Sequence, residues 1–292
     1  MSSGHHDELS QGRDNGLAPE ISHYARPGTF YLLATAIPWA LWLIAGYLSR
    51  TQGPSPGVTW AISALALAGL LAPVGVAVVL VTRDPFLRLD VWRRLVLVRD
   101  VPVWVWLLAL LLLPISLLVA TAVSVPLGYP LEQFQFSKSA SFSTGAIPPL
   151  VTLIGAAVAE ELAWHSYGTD ALVSRWSVWR SSIIFAVIWG VWHAPLSTIQ
   201  GFYQAEVVET GWLTSINFVA SLFPFIILMN WLYYRGGRSI ILAIVFHAVA
   251  NVGNELFQTH PDTKAIQTLL LILVCVVVVR RERKLFFSKP AK

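Results

Sequence analysis

Apolar residues run in stretches long enough to cross a bilayer, separated by short polar or basic interruptions. The stretches fall at about 30–48, 58–82, 101–126, 147–168, 181–199, 213–234 and 239–257, and a shorter eighth lies at 265–279. A helix rising 1.5 Å per residue needs about 20 apolar residues to traverse ~30 Å of hydrocarbon, which leaves only the eighth stretch marginal on length. Helix breakers and arginines mark the boundaries: Gly53-Pro54-Ser55-Pro56-Gly57, Arg83-Asp84-Pro85, Gly128-Tyr129-Pro130 and Arg235-Gly236-Gly237-Arg238. No internal repeat or separate soluble domain is visible. The pattern predicts an all-α polytopic membrane protein, a bundle of about eight transmembrane helices.

Composition points the same way. The chain is 55% hydrophobic and only 12% charged, with a mean hydropathy of +0.63. Soluble domains are about a quarter charged, so lipid must be the solvent for most of this surface. Cys275 is the only cysteine and lies in an apolar run, which excludes a disulfide framework. The first 29 residues lack an apolar core, so a cleavable signal peptide is not expected; His5 and His6 there read as solvated rather than metal-binding.

Charge sets the orientation. With the N-terminus in the cytoplasm and eight spans, 17 of the 20 Lys and Arg residues fall inside, among them Arg13, Arg26, the 83–99 group with Arg94, then Arg235, Arg238 and the 280–292 tail. Only Arg50, Lys138 and Lys264 remain outside. That asymmetry favours both termini in the cytoplasm. The expected organisation is a polar cytoplasmic tail at 1–29, a transmembrane domain at 30–279 and a basic cytoplasmic tail at 280–292. The basic clusters suit anionic headgroups of the lipid bilayer, not nucleic acid. Of the thirteen tryptophans, Trp39, Trp60, Trp92, Trp104, Trp212 and Trp231 sit near span ends, as interfacial rings do. Trp164, Trp189 and Trp192 instead flank polar residues and are candidates for a cavity wall.

Five of the eight stretches contain no Asp, Glu, Lys, Arg or His. The other three carry Glu160, Glu161 and His165; His193; and His247 with Asn251, plus Glu255 near an end. An ionisable side chain at bilayer depth costs at least a few kcal/mol unless paired or solvated, so such residues are functional candidates. In the eight-span topology Glu160 and His247 each lie roughly 12 Å from the cytoplasmic end, and His193 and Asn251 roughly 18 Å. Three helices thus bring two carboxylates, two imidazoles and an amide to one layer. His247 and Asn251 share a helix face, as do Glu161 and His165, both pairs being i, i+4. Glu160 and Glu161 point about 100° apart, so one is expected to act and the other to position a neighbour.

A carboxylate and two imidazoles can orient and deprotonate a water, directly or around a divalent metal such as zinc, in which case Glu160, His193 and His247 would be its ligands. An amide can donate to a developing oxyanion. These are parts for hydrolysing a peptide bond. No serine or cysteine at that depth has an obvious activating partner, and the two-His-around-Glu zinc signature is absent.

At these residues the chain resembles the CPBP family of intramembrane proteases, which includes the type II CAAX prenyl endopeptidases and many bacterial Abi proteins. Glu160-Glu161-Leu162-Ala163-Trp164-His165 stands against the family's Glu-Glu-x-x-x-Arg. Trp189-Gly190-Val191-Trp192-His193 stands against Phe-x-x-x-His, and His247-Ala248-Val249-Ala250-Asn251 against His-x-x-x-Asn. The resemblance covers about 147–257. It implies an intramembrane endopeptidase with Glu160 as the catalytic carboxylate, His193 and His247 as its histidines, Asn251 as oxyanion donor and Glu161 in support. The cofactor is then none, or a divalent metal.

Two departures stand out. Trp189 replaces a Phe, a change of wall. His165 replaces an Arg, exchanging a permanent fork-shaped cation for a titratable ring. That second change keeps open a non-catalytic immunity or partner-binding protein of the same fold. A proton- or metal-coupled transporter is a further alternative, disfavoured because the polar groups share one layer. The substrate is expected to be a membrane protein or peptide, cleaved in a C-terminal or juxtamembrane segment, and the location a bacterial plasma membrane, where prenylated CAAX substrates are not expected.

Overall fold

A computed structural model describes residues 19–51, 53, 55–137 and 148–288. His5, His6, Arg13, Lys138, Lys289 and Lys292 lie outside the described residues. Every apolar stretch is helical within them. In chain order the helices are α1 (Pro27–Thr51), α2 (Pro56–Thr82), α3 (Pro85–Val96), α4 (Val103–Ser124), α5 (Pro149–Ala163), α6 (Thr169–Val173), α7 (Val178–His193), α8 (Tyr203–Thr210), α9 (Trp212–Arg235), α10 (Ile240–Leu256), α11 (Pro261–Arg281) and α12 (Arg283–Phe287). Among the described residues the one β-bridge pairs Phe136 with Phe257.

Six helices are long and apolar enough to cross a membrane: α1, α2, α4 extended to Leu127, α7 extended to Thr198, α9 and α11. The chain is therefore a multi-pass integral membrane protein. The two remaining apolar helices are those richest in predicted chemistry. α5 is interrupted by a π-helical turn at Trp164–Gly168, and α10 spans only 17 residues. The stretch that looked marginal, 265–279, lies inside a full 21-residue helix. It starts earlier because Pro261 occupies its first turn and the Asp262 N–H donates to His260 Nδ1 at 3.2 Å. Proline occurs inside α1, α2, α4 and α9, at Pro38, Pro73, Pro114 and Pro224. Membrane helices tolerate this because neighbouring groups re-satisfy the freed backbone.

In lipid there is no hydrophobic force between apolar helices, so small residues that permit close approach matter. A Cβ added to Gly69 of α2 would overlap the Trp42 indole of α1, and one on Gly46 would overlap Thr198. These contacts seat α1 against α2 and against the turn after α7. α5 packs on α10 and α2, α7 on α9, and α4 and α11 close the remaining side.

Three sequence expectations change. Ile21 and Tyr24, within the segment read as a tail, are buried in the core. Trp231 is buried against Trp104, with ring centroids 5.9 Å apart, rather than exposed at a span end; Trp60, Trp92 and Trp212 are well exposed. Arg94 and Arg238, counted in the cytoplasmic basic clusters suited to lipid headgroups, are buried at 3% and 5% exposure and paired with Asp90 and Asp170. α3, which carries Asp90 and Arg94 on its inner face, is capped by Asp84, whose Oδ1 accepts the Phe86 N–H at 2.8 Å.

Candidate active site

α5, α7 and α10 converge on a cavity of about 220 Å³. Glu160, His193, His247 and Asn251 all line it, with Trp189 beside them. Its remaining wall is largely apolar, from Leu113 and Leu117 of α4, Phe218, Leu222 and Phe225 of α9, and Leu271 of α11. Of the five residues picked out in the sequence, four share this cavity. Glu161 does not line it.

The two carboxylates have different surroundings. Glu160 faces the cavity and accepts the indole N–H of Trp189 through Oε2 at 2.8 Å. Glu161 is fully buried and is held between two rings. Its Oε1 lies 2.6 Å from His247 Nδ1, and its Oε2 contacts His165 Nδ1. Their adjacency on a helix, about 100° apart, makes this division possible.

The hydrogen-bond partners assign the ring tautomers. His193 Nδ1 lies 2.7 Å from the carbonyl of Trp189. A carbonyl only accepts, so Nδ1 carries the hydrogen and Nε2 presents a lone pair. An ionised Glu161 imposes the same tautomer on His247. Both rings are therefore held by Nδ1, and each ring in its neutral form presents Nε2 as an acceptor. Asn251 uses one Nδ2 hydrogen on the Leu153 carbonyl at 3.1 Å and has a second to offer.

His165 sits at the head of a chain that sequence reasoning did not find. Ser182 donates to the Val178 carbonyl at 2.8 Å, so its oxygen accepts from Asn230 Nδ2 at 2.9 Å. The Asn230 carbonyl oxygen then faces His165 Nε2 at 3.0 Å, and that nitrogen must donate. Asn230 was passed over because only charged residues and histidines were sought in the span at 213–234. Asn217 and Asn230 are the two amides in that run, and Asn230, deep in its apolar part, was the available signal.

As a metal site the donor set has the right chemistry, two imidazole Nε2 atoms and a carboxylate. Among the described residues, however, no three His, Cys, Asp or Glu side chains are gathered closely enough to hold an ion. The residues as placed do not fit a metal.

The fold and the cavity define a class: a polytopic helical membrane protein with a carboxylate–imidazole site inside its helix bundle. Residues 142–253 match the model of the Rce1-like type II CAAX prenyl endopeptidases. The chain is also 34% identical over 272 residues to CAAX prenyl protease 2 of Methanococcus maripaludis, an alignment that covers 92% of this chain and 99% of that protein. The chain belongs to the Rce1-like type II CAAX prenyl endopeptidase family.

Proposed function

We propose that the protein is an intramembrane endopeptidase in which Glu160 activates a water held in the cavity against His193 and His247. What carries this reading is the shared orientation of the two imidazoles, both tied back through Nδ1 and both offering Nε2 to the cavity that Glu160 lines.

The chemistry follows from the donors and acceptors. A water gives one O–H to Glu160 and the other to an imidazole Nε2, which leaves an oxygen lone pair free for a peptide carbonyl. Glu160 takes the proton as the oxygen bonds to carbon, and the carbonyl π pair moves onto the substrate oxygen. The second Nδ2 hydrogen of Asn251 stabilises that oxyanion. As the oxyanion collapses, the C–N bond breaks and Glu160 returns its proton to the leaving nitrogen, so atoms and charge balance. Glu161 holds His247 in the required tautomer, as a carboxylate behind a histidine does elsewhere.

The apolar wall suits a substrate segment with a hydrophobic anchor. The relative is named a CAAX prenyl protease, so prenylated C-termini belong in the assay beside plain ones, despite the sequence-based expectation against them. The test is cleavage of a fluorogenic panel of both kinds by purified protein. Wild type is compared with Glu160→Ala, His193→Ala and His247→Ala, with and without a chelator. Activity lost in all three variants and unaffected by chelator is the expected result; chelator sensitivity would replace the water mechanism with a metal one. Turnover by Glu160→Ala at wild-type rate would remove Glu160 from the role of base.

A further inference from the structure

Next to the π turn that follows Glu160 and Glu161, four buried charges from three segments meet. Arg238, between α9 and α10, binds Asp90 of α3 at 2.9 and 3.1 Å and Asp170 of α6 at 2.6 and 3.1 Å. It does so from a left-handed backbone conformation, φ 68°. Arg94 of α3 lies 2.9 Å from Asp90 and 3.1 Å from Asp170. Two arginines and two aspartates neutralise one another, and simple pairing would use up that charge.

Arg94 does more than pair. Its Nη1 donates to the His165 carbonyl at 2.8 Å and to the Tyr233 hydroxyl at 2.5 Å. Its Nη2 donates to the Ser166 carbonyl at 2.8 Å and to the Tyr24 hydroxyl. Burial pushes the Tyr24 phenol above its usual range, against the opposing pull of Arg94. Tyr24 therefore stays a neutral hydroxyl and donates to Asp90 at 2.6 Å. The residue whose carbonyl Arg94 grips, His165, is the one whose ring closes on Glu161 and Asn230.

We propose that Arg94 is a positioning residue for the Glu160–Glu161 pair, its planar guanidinium clamping the successive carbonyls of His165 and Ser166 and so fixing the π turn that sets the direction of both carboxylates. π turns are uncommon and occur frequently at functional sites. A guanidinium presents parallel donors to two neighbouring carbonyls, whereas an ammonium acts as a point donor. α3 lies outside the 142–253 match, so this contribution comes from beyond the segment that defines the family. The proposal rests on the endopeptidase reading for its kinetic consequence but not for its structural one.

The test is a charge-balanced variant, Arg94→Met with Asp90→Asn, which leaves Arg238 paired with Asp170. The reference is Asp90→Asn alone. Relative to that reference, kcat on a cleaved peptide is expected to fall about 100-fold, the scale of a ~1 Å misplacement, with KM within about threefold. Amide hydrogen exchange in peptides covering 160–170 is expected to quicken by about tenfold, with distant helices unchanged. Equal kcat in the two proteins overturns the proposal. If wild type cleaves nothing, the endopeptidase reading has failed and exchange decides: unchanged protection at 160–170 overturns the clamp, selective loss supports it. Should the double variant not fold, Arg94→Lys retains the charge without the fork, and wild-type turnover and protection there would equally overturn it.

Discussion

Glu161 Oε1 lies 2.6 Å from His247 Nδ1 while the same carboxylate's other oxygen contacts His165, so one buried side chain fixes two rings on two helices. A carboxylate can do this because both its oxygens accept. Glu161→Gln keeps the shape but presents an NH₂ to one of the rings. Either His247 or His165 then loses its acceptor, and His247 can adopt the wrong tautomer. We expect kcat to drop about 100-fold with little change in KM, since only the orientation of the site is disturbed. Steady-state kinetics on a cleaved peptide would reveal it; a kcat within threefold of wild type would mean that Glu161 supports folding and not the site.

Trp189 supplies the second prediction. Its indole N–H donates to Glu160 Oε2 at 2.8 Å, while its ring stacks on Phe225 with centroids 5.6 Å apart. Trp189→Phe keeps much of the ring contact and removes the donor. A hydrogen bond to a charged group is worth about 1.5 kcal/mol or more, which corresponds to roughly a tenfold fall in turnover. Thermal stability in detergent should move little. A collapse in stability with normal specific activity would show that the indole serves packing alone.

Much of this was legible in the sequence because hydrocarbon is an unforgiving solvent. Apolar runs marked the helices, and the few ionisable residues inside them marked Glu160, Glu161, His193 and His247, four residues that the structure brings into one connected site. Helix geometry also required the adjacent glutamates to diverge. What could not be read was long-range partnership. Arg94 and Arg238 look in sequence like any basic juxtamembrane residues, and only the fold brings Asp90 and Asp170 against them. The π turn left no periodic signal, since one extra residue in five is invisible to a hydrophobic pattern. Asn230 was hidden because it carries no charge, and only charged residues and histidines inside its apolar run were taken as candidates.

Close packing gives the third prediction. Gly69 lies against the Trp42 indole, whose N–H donates to the Ala66 carbonyl at 3.0 Å. Trp42 in turn meets Trp192 edge-on at 4.6 Å, and Trp192 abuts His193 at 4.8 Å. Gly69→Ala must displace Trp42, and overpacking of this kind costs about 1–3 kcal/mol. A lower melting temperature is expected, with a loss of activity transmitted through Trp192 to His193. The control is Gly75→Ala on the same helix, where an added Cβ meets nothing within 4 Å. Equal melting temperatures for the two variants would remove the tryptophan relay from consideration.

His165 occupies the position where the family pattern has arginine, and the structure explains how a smaller group serves there. The imidazole covers only part of the distance, from Glu161 to Asn230, and Asn230 covers the rest, to Ser182. Restoring arginine alone is therefore expected to fail: His165→Arg drives a guanidinium into a fully buried amide, at a cost of about 1–3 kcal/mol. His165→Arg combined with Asn230→Ala makes room for the fork to reach both Glu161 and Ser182. Its stability should recover and its turnover should come within about tenfold of wild type, so that the double variant costs less than the sum of the two single effects, as touching residues do. The double-mutant cycle is read by melting temperature and by kcat together. If His165→Arg alone melts and turns over like wild type, then His165 and Asn230 are not one unit, and the arginine position tolerates either residue without its neighbour's help.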